Sequence, residues 1–378
     1  MLNQTGRDMQ INRNTRLTVA TLSMLFITIL VSILSFVMGR GGSDTPILNT
    51  SWIFVPSPLI LLALIYIHKI SRLIRVAAKI YIGLSVIVTV LLLLGVAWTG
   101  SETALHPEIC EDMEELSDYP NLAKNTENVE FKAADGTLLK GWINFGTSTQ
   151  AILLLHGYRC DKRAMLKEAN MLYETGFTVL LFDFRHNGES EGDFVTFGYY
   201  EKQDVTAAIN KLRNLDAERH PVKSDRLTSI GILGQSNGGA TALLFAAENP
   251  GAIQAMVVDS SFKSLDSAVA QSFTHFVGLP AFPFAPITVW ITELKTGISR
   301  KDIVPEEAVK KITNTPIFII HGLLDKTISK DDSESIFANA NEPKQLWLVP
   351  DADHGETFTA GETEYSQRVV RFFTRALN

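Results

Sequence analysis

The sequence predicts an α/β domain, with a mainly parallel sheet of about eight strands and helices on both faces, behind an α-helical transmembrane region. Three observations predict it. Strand-like and helix-like stretches alternate from residue 151 to the C-terminus. An apolar run enters Gly234-Gln235-Ser236-Asn237-Gly238, and a helix-prone segment follows it. Long uncharged stretches are confined to the first 101 residues.

Leu17 to Met38 carries no charge over 22 residues, Thr45 to Ile67 none over 23, and Ile80 to Ser101 none over 22. Each is long enough to cross a bilayer about 30 Å thick at about 1.5 Å per residue. The first run exceeds a signal-peptide core and lacks an A-x-A-like site after Met38, so it reads as an uncleaved anchor. Asn49, Pro56 and Pro58 delay the helical part of the second. The expected spans are therefore 17–38, 52–67 and 80–98, within an anchor of residues 1–101.

Charge orients them. Arg7, Arg13 and Arg16 precede the first span and only Arg40 follows it. Lys69, Arg72, Arg75 and Lys79 separate the second from the third, and no Lys or Arg then appears before Lys124. The positive-inside rule puts the N-terminus inside and the large C-terminal domain outside; with the Pro-containing run not spanning, the two share a side. The expectation is a multi-pass protein of the cell membrane whose first partner is the lipid bilayer.

Residues 102–127 read as an acidic, irregular linker. Segments 128–133 and 137–145 flank Ala134-Asp135-Gly136, a hairpin signal with Asp-Gly at the turn. Strand-like runs follow at 151–156, 177–183, 227–234, 253–259, 315–321 and 344–349. Helical runs lie near 161–175, 200–215, 238–248, 330–340 and 364–376. The rhythm breaks between Asp259 and Thr315, where an insertion at about 262–312 carries Phe273, Phe276, Phe282, Phe284, Trp290 and four prolines. Insertions of this length are usually lids or binding segments, and an apolar one favours an acyl chain over a sugar. A helical excursion packed on the sheet or docked on the membrane is the plainer alternative.

The net charge of −7 offers no footprint for nucleic acid. Cys110 and Cys160 leave both one disulfide and two free thiols open. Nothing in the spacing of His, Cys and carboxylates calls for a metal, and no cofactor is required.

The chemistry centres on Ser236. A serine between two close glycines, at a sharp strand-to-helix turn, has its hydroxyl held out at the top of a sheet. Such a hydroxyl needs a base and an acid that orients the base. Asp325 lies in the loop after the strand ending at His321, and His354 in the turn-rich loop after Val349. All three fall at the C-terminal ends of strands, where an open parallel sheet places its site. His321 and His156 read as supporting residues, Asp353 as a neighbour of His354 that points elsewhere and is not its acid, Asp183 and Arg185 as organisers of their loop, and His186 and His275 as surface or cap residues.

Four ordered motifs carry a resemblance to the α/β-hydrolase superfamily over about residues 128–378, roughly two thirds of the chain. They are Leu153-Leu154-Leu155-His156-Gly157, Asp183-Phe184-Arg185-His186-Asn187-Gly188-Glu189-Ser190, the Ser236 elbow, and Ile320-His321-Gly322-Leu323-Leu324-Asp325. Within the superfamily the chain is similar to the serine-aminopeptidase-like and acyl-hydrolase branches. The resemblance implies the α/β-hydrolase fold with a cap, and a serine hydrolase with Ser236 as nucleophile, His354 as base and Asp325 as acid. It places the oxyanion donors at the backbone N–H groups of Asn237 and Tyr158. It also leaves Asp259 as an alternative acid. The implied substrate is a small acyl or peptide compound cleaved at an ester, thioester or amide bond. A peptidase, for which Glu293 is the candidate amine-holding carboxylate, and a silent binding module are the rival readings.

Overall fold

The computed structural model describes residues 72–110, 113–222 and 226–378, so the expected spans at 17–38 and 52–67 lie outside the described residues. The chain divides into two compact units, Met1–Leu94 and Gly95–Asn378. Helix α1, Arg72–Leu105, is 34 residues long and apolar on every face between Lys79 and Glu102. Among the described residues it is the one helix long and apolar enough to cross a membrane. It does not stop at residue 98 or 101. Glu102 continues it because Lys295 Nζ donates to Glu102 Oε1 at 2.8 Å, so the charge has a partner inside the fold. The expected irregular linker is also partly ordered, with a 3₁₀ turn at Leu116–Asp118 and a helical turn at Pro120–Lys124 that buries Leu122.

The second unit is built on an eight-stranded sheet in the order β1-β2-β4-β3-β5-β6-β7-β8. The strands are β1 Glu127–Lys132, β2 Leu138–Asn144, β3 Gln150–Leu155, β4 Thr178–Phe182, β5 Ser229–Gln235, β6 Ala255–Asp259, β7 Ile317–Gly322 and β8 Lys344–Val349. β2 pairs antiparallel with β1 and β4, and every later pairing is parallel. The bounds differ from those expected by at most two residues at most ends, because the apolar runs end where the strands do.

Pleating sends alternate residues to opposite faces. Leu153, Leu155, Ile232, Val258 and Ile319 join one core cluster, and Ile152, Leu154, Leu233, Val257 and Ile320 the other. Helices α2 (Leu166–Glu174) and α8 (Glu362–Ala376) cover the second face, and α3 (Glu201–Arg219) and α4 (Asn237–Glu248) the first. Helix α8 shows why: Tyr365, Val369, Phe372 and Phe373 recur at helical spacing and are all buried.

The insertion is helical. It contains α5 (Leu265–Ser272), a π turn at Phe273–Val277, α6 (Ala281–Thr296) and short turns before β7. Helix α7 (Lys330–Asn339) then links β7 to β8. A third apolar cluster gathers Leu265 and Ala268 of the insertion with Ala240, Ile328 and Phe197, and Tyr158 and Ala104 pack against it. This cluster lies at the strand ends that carry the chemistry.

Candidate active site

Ser236 sits between β5 and α4 with φ 52° and ψ −114°, a conformation that costs about 1–3 kcal/mol in a non-glycine residue. The surroundings hold it there. A methyl group at Gly238 would lie 2.2 Å from the Leu155 carbonyl oxygen, and one at Gly234 2.5 Å from the Gly238 carbonyl carbon. Strand and helix can cross this closely only through glycine. The Ser236 N–H donates to the Asp259 carbonyl at 2.7 Å, which pins the turn to β6.

His354 reaches this hydroxyl from the loop after β8. Its Nε2 lies 3.0 Å from Ser236 Oγ, and its Nδ1 lies 2.7 Å from Asp325 Oδ2. An acceptor-only carboxylate opposite Nδ1 assigns the proton to Nδ1 and leaves the Nε2 lone pair facing the serine. The Asp325 side chain is fully buried, and its Oδ1 accepts the N–H groups of Thr327 and Ile328 at 2.9 and 2.8 Å. The three residues that sequence set at three strand ends, 236, 325 and 354, therefore lie within one hydrogen-bonded chain.

The neighbouring groups have other work. His321 Nε2 donates to the Ile328 carbonyl at 2.9 Å while its Nδ1 meets Ser333 Oγ at 2.8 Å, so this buried ring buttresses the acid loop. Asp353 does not face the imidazole. It accepts from Lys326 Nζ at 2.9 Å and from the Lys326 and His354 N–H groups at 3.0 and 2.8 Å, clasping the two loops together. The bond from Lys326 Nζ holds its carboxyl down at about 2. Asp259 is also elsewhere: Thr357 Oγ1, Tyr365 and Ser260 donate to it, and burial raises its carboxyl above the usual range. Sequence reasoning missed the Asp353–Lys326 clasp, since nothing in either loop alone marks the pairing.

The loop after β3 lies against the elbow, where a methyl group at Gly157 would come 3.4 Å from Ser236 Cβ. His156 shapes it. Nδ1 donates to the Gly157 carbonyl at 2.8 Å and Nε2 accepts the Phe184 N–H at 3.0 Å, and burial pushes the imidazole's pKa down. The backbone N–H groups of Tyr158, next to Gly157, and of Asn237, next to Ser236, show no hydrogen bond to another group among the described residues. Asp183 and Arg185 organise their loop as expected. Asp183 accepts from Lys162 Nζ at 2.7 Å and the Glu189 N–H at 2.9 Å, and Arg185 pairs with Asp204 at 2.6 Å. Cys110 and Cys160 are both free thiols. A cleft of about 530 Å³ lined by Tyr119, Lys167, Met171 and Phe358 contains none of the three triad-type residues.

The chain is similar to several known proteins. Residues 146–296 match the family described as serine aminopeptidase, S33. YqkD of Bacillus subtilis is 25% identical over 303 residues, covering 78% of this chain and 96% of its own. YfhR of Escherichia coli K12 is 30% identical over 262 residues, covering 67% of this chain and 82% of its own. The Pyrococcus furiosus esterase Pf2001 superposes with a TM-score of 0.58 at 25% identity, over 72% of this chain and 97% of that one. With its sheet order, its serine elbow and these relatives, the chain belongs to the α/β-hydrolase superfamily and is, at that level, a hydrolase.

Proposed function

We propose that this protein is a membrane-anchored serine hydrolase that cleaves an ester, thioester or amide bond through an acyl-enzyme. The observation that carries the reading is the 3.0 Å and 2.7 Å chain from Ser236 Oγ through His354 to buried Asp325. In this reading Ser236 Oγ attacks the substrate carbonyl carbon as His354 Nε2 takes its proton. The oxyanion that forms is held by the N–H groups of Asn237 and Tyr158, and each such donor contributes about 3–4 kcal/mol. Collapse breaks the acyl bond, and His354 returns the proton to the departing alcohol, thiol or amine. Water repeats the cycle on the acyl-serine and releases the acid.

The serine aminopeptidase description of the matched family favours a peptidase as second reading. Against it, Glu293 Oε1 accepts the Arg300 N–H at 2.9 Å and closes the end of α6 rather than standing ready for an amine. A small acyl ester is the favoured substrate. In the same reading α1 anchors the enzyme in the cell membrane and the catalytic unit faces away from the cytoplasm.

The test is covalent labelling. A fluorophosphonate probe is expected to modify the wild-type protein at Ser236, and Ser236→Ala is expected to lose both labelling and ester hydrolysis. A folded wild-type protein that resists the probe, or a Ser236→Ala protein that still reacts, overturns the reading.

A further inference from the structure

The insertion presents an unusual surface. Pro286, Trp290 and Leu294 stand four residues apart on one side of α6, Phe282 stands exposed on the non-helical backbone at its start, and Phe276 and Val277 project from the π turn before it. Phe282 is 79% exposed, Leu294 66%, Phe276 61% and Trp290 51%. From Ser267 to Ser299 the only charged side chains are Glu293 and Lys295, and both are engaged within the fold. Exposed apolar side chains gathered on one short segment, with the exposed His275 beside Phe276 as its one further ionisable group, mark an interaction face.

The other side of α6 meets the end of the apolar helix. Thr292 Oγ1 donates to Ser101 Oγ at 3.0 Å, and Lys295 Nζ bonds Glu102 and lies 3.8 Å from the centre of the Trp98 ring. A methyl group at Gly100 would come 2.9 Å from Phe273 Cζ, with Thr288 the next neighbour. The uncharged run of α1 ends at Ser101, so Trp98, Lys295 and Glu102 form the tryptophan-and-charge pattern of a headgroup layer. Helix α6 lies beside residues 98–102 and therefore shares their depth. The link continues into the site, because the Tyr158 hydroxyl donates to the Thr103 and Ala104 carbonyls at 2.9 and 3.3 Å.

We infer that the apolar face of the insertion, Phe276, Phe282, Trp290 and Leu294, seats in the lipid bilayer that α1 enters, so that Ser236 draws an ester substrate from the membrane rather than from water. The inference rests on the hydrolytic reading above and names the source of its substrate. The occupant is lipid because the helix that presents this face packs its opposite side on the last turns of a bilayer-length helix, and the four named side chains carry no charge. A soluble protein partner would ordinarily meet a polar rim.

The experiment uses the full chain reconstituted in phosphatidylcholine–phosphatidylglycerol vesicles. Cys110→Ser and Cys160→Ser clear the background, and an environment-sensitive fluorophore is attached at Phe282→Cys or, as control, at Glu218→Cys on α3. Lipids brominated near the headgroup are expected to quench the probe at 282 and not at 218. A second readout compares hydrolysis of p-nitrophenyl palmitate carried in the vesicles with that of p-nitrophenyl acetate in water. The variant Phe276→Ser/Phe282→Ser/Trp290→Ser/Leu294→Ser is expected to lose about tenfold on the vesicle-borne ester and to stay within about twofold on the soluble one, which also reports its folding. An unquenched probe at 282 with normal acetate hydrolysis overturns the seating alone. A probe shielded from water but untouched by brominated lipid assigns the face to a protein surface and overturns it equally. Failure of the wild-type protein on both esters brings down the hydrolytic reading, and this inference with it.

Discussion

Ser236 is held in a strained turn by backbone contacts on both sides, and one imidazole and one carboxylate are hydrogen-bonded in line behind its hydroxyl. Two buried aspartates stand near the site, and only one faces the imidazole. Asp325→Asn keeps an acceptor for the Thr327 and Ile328 N–H groups but removes the charge that fixes the Nδ1 proton. Its kcat is expected to fall by about 10⁴-fold with the fold intact. Asp259→Asn replaces a carboxyl that burial already disfavours as a charge and that binds only hydroxyls, so its kcat is expected to stay within about tenfold. Steady-state kinetics on a soluble ester separate the two. Equal losses would reopen the choice of acid. At this scale the sequence was informative where chemistry demands a pattern, as in G-x-S-x-G or a lone Asp and His at strand ends. It was silent on Asp353–Lys326, which lie 27 residues apart and become partners only when β7 and β8 are adjacent.

Among the elements, the parallel strands were legible because both faces are covered, which turns each strand into a continuous apolar run. The insertion was legible as a break in rhythm, but its internal helices were not, since Pro283 and Pro286 and an all-round apolar composition remove the usual periodic signal. Helix α2 carries a further consequence. Glu168 is fully buried there, one of its carboxylate oxygens has no partner among the described residues, and burial pushes its carboxyl up to about 8 from an ordinary 4.5. The folded chain keeps this group protonated, whereas the unfolded chain releases the proton. Its contribution is therefore complete below about pH 4.5 and is lost as pH rises through about 8. Glu168→Gln is expected to flatten that decline and to raise the unfolding midpoint at alkaline pH by on the order of 5 °C. Thermal melts across this range check it, and an unchanged slope would place the titrating group elsewhere.

For the molecule as a whole, the proposed outward orientation is the expectation that the positive-inside rule draws from the Lys and Arg around the three uncharged runs. A membrane-impermeant fluorophosphonate is then expected to label Ser236 on intact cells. Labelling only after permeabilisation would reverse the orientation. Hydropathy made the apolar helix readable, because one continuous uncharged run suffices. Its extension to Leu105 was not readable, since Glu102 marks an end in sequence and gains its partner, Lys295, only in the folded molecule.

The phenol of Tyr158 ties the loop after β3 to a stretch that anyone trimming the polypeptide for water solubility would be tempted to discard. A shortened chain starting at Gly95 retains about three turns of that stretch and both carbonyls. One starting at Pro107 has neither, and it is expected to turn over more slowly at unchanged KM. The difference in kcat between the two would measure how far this tether tunes the catalyst.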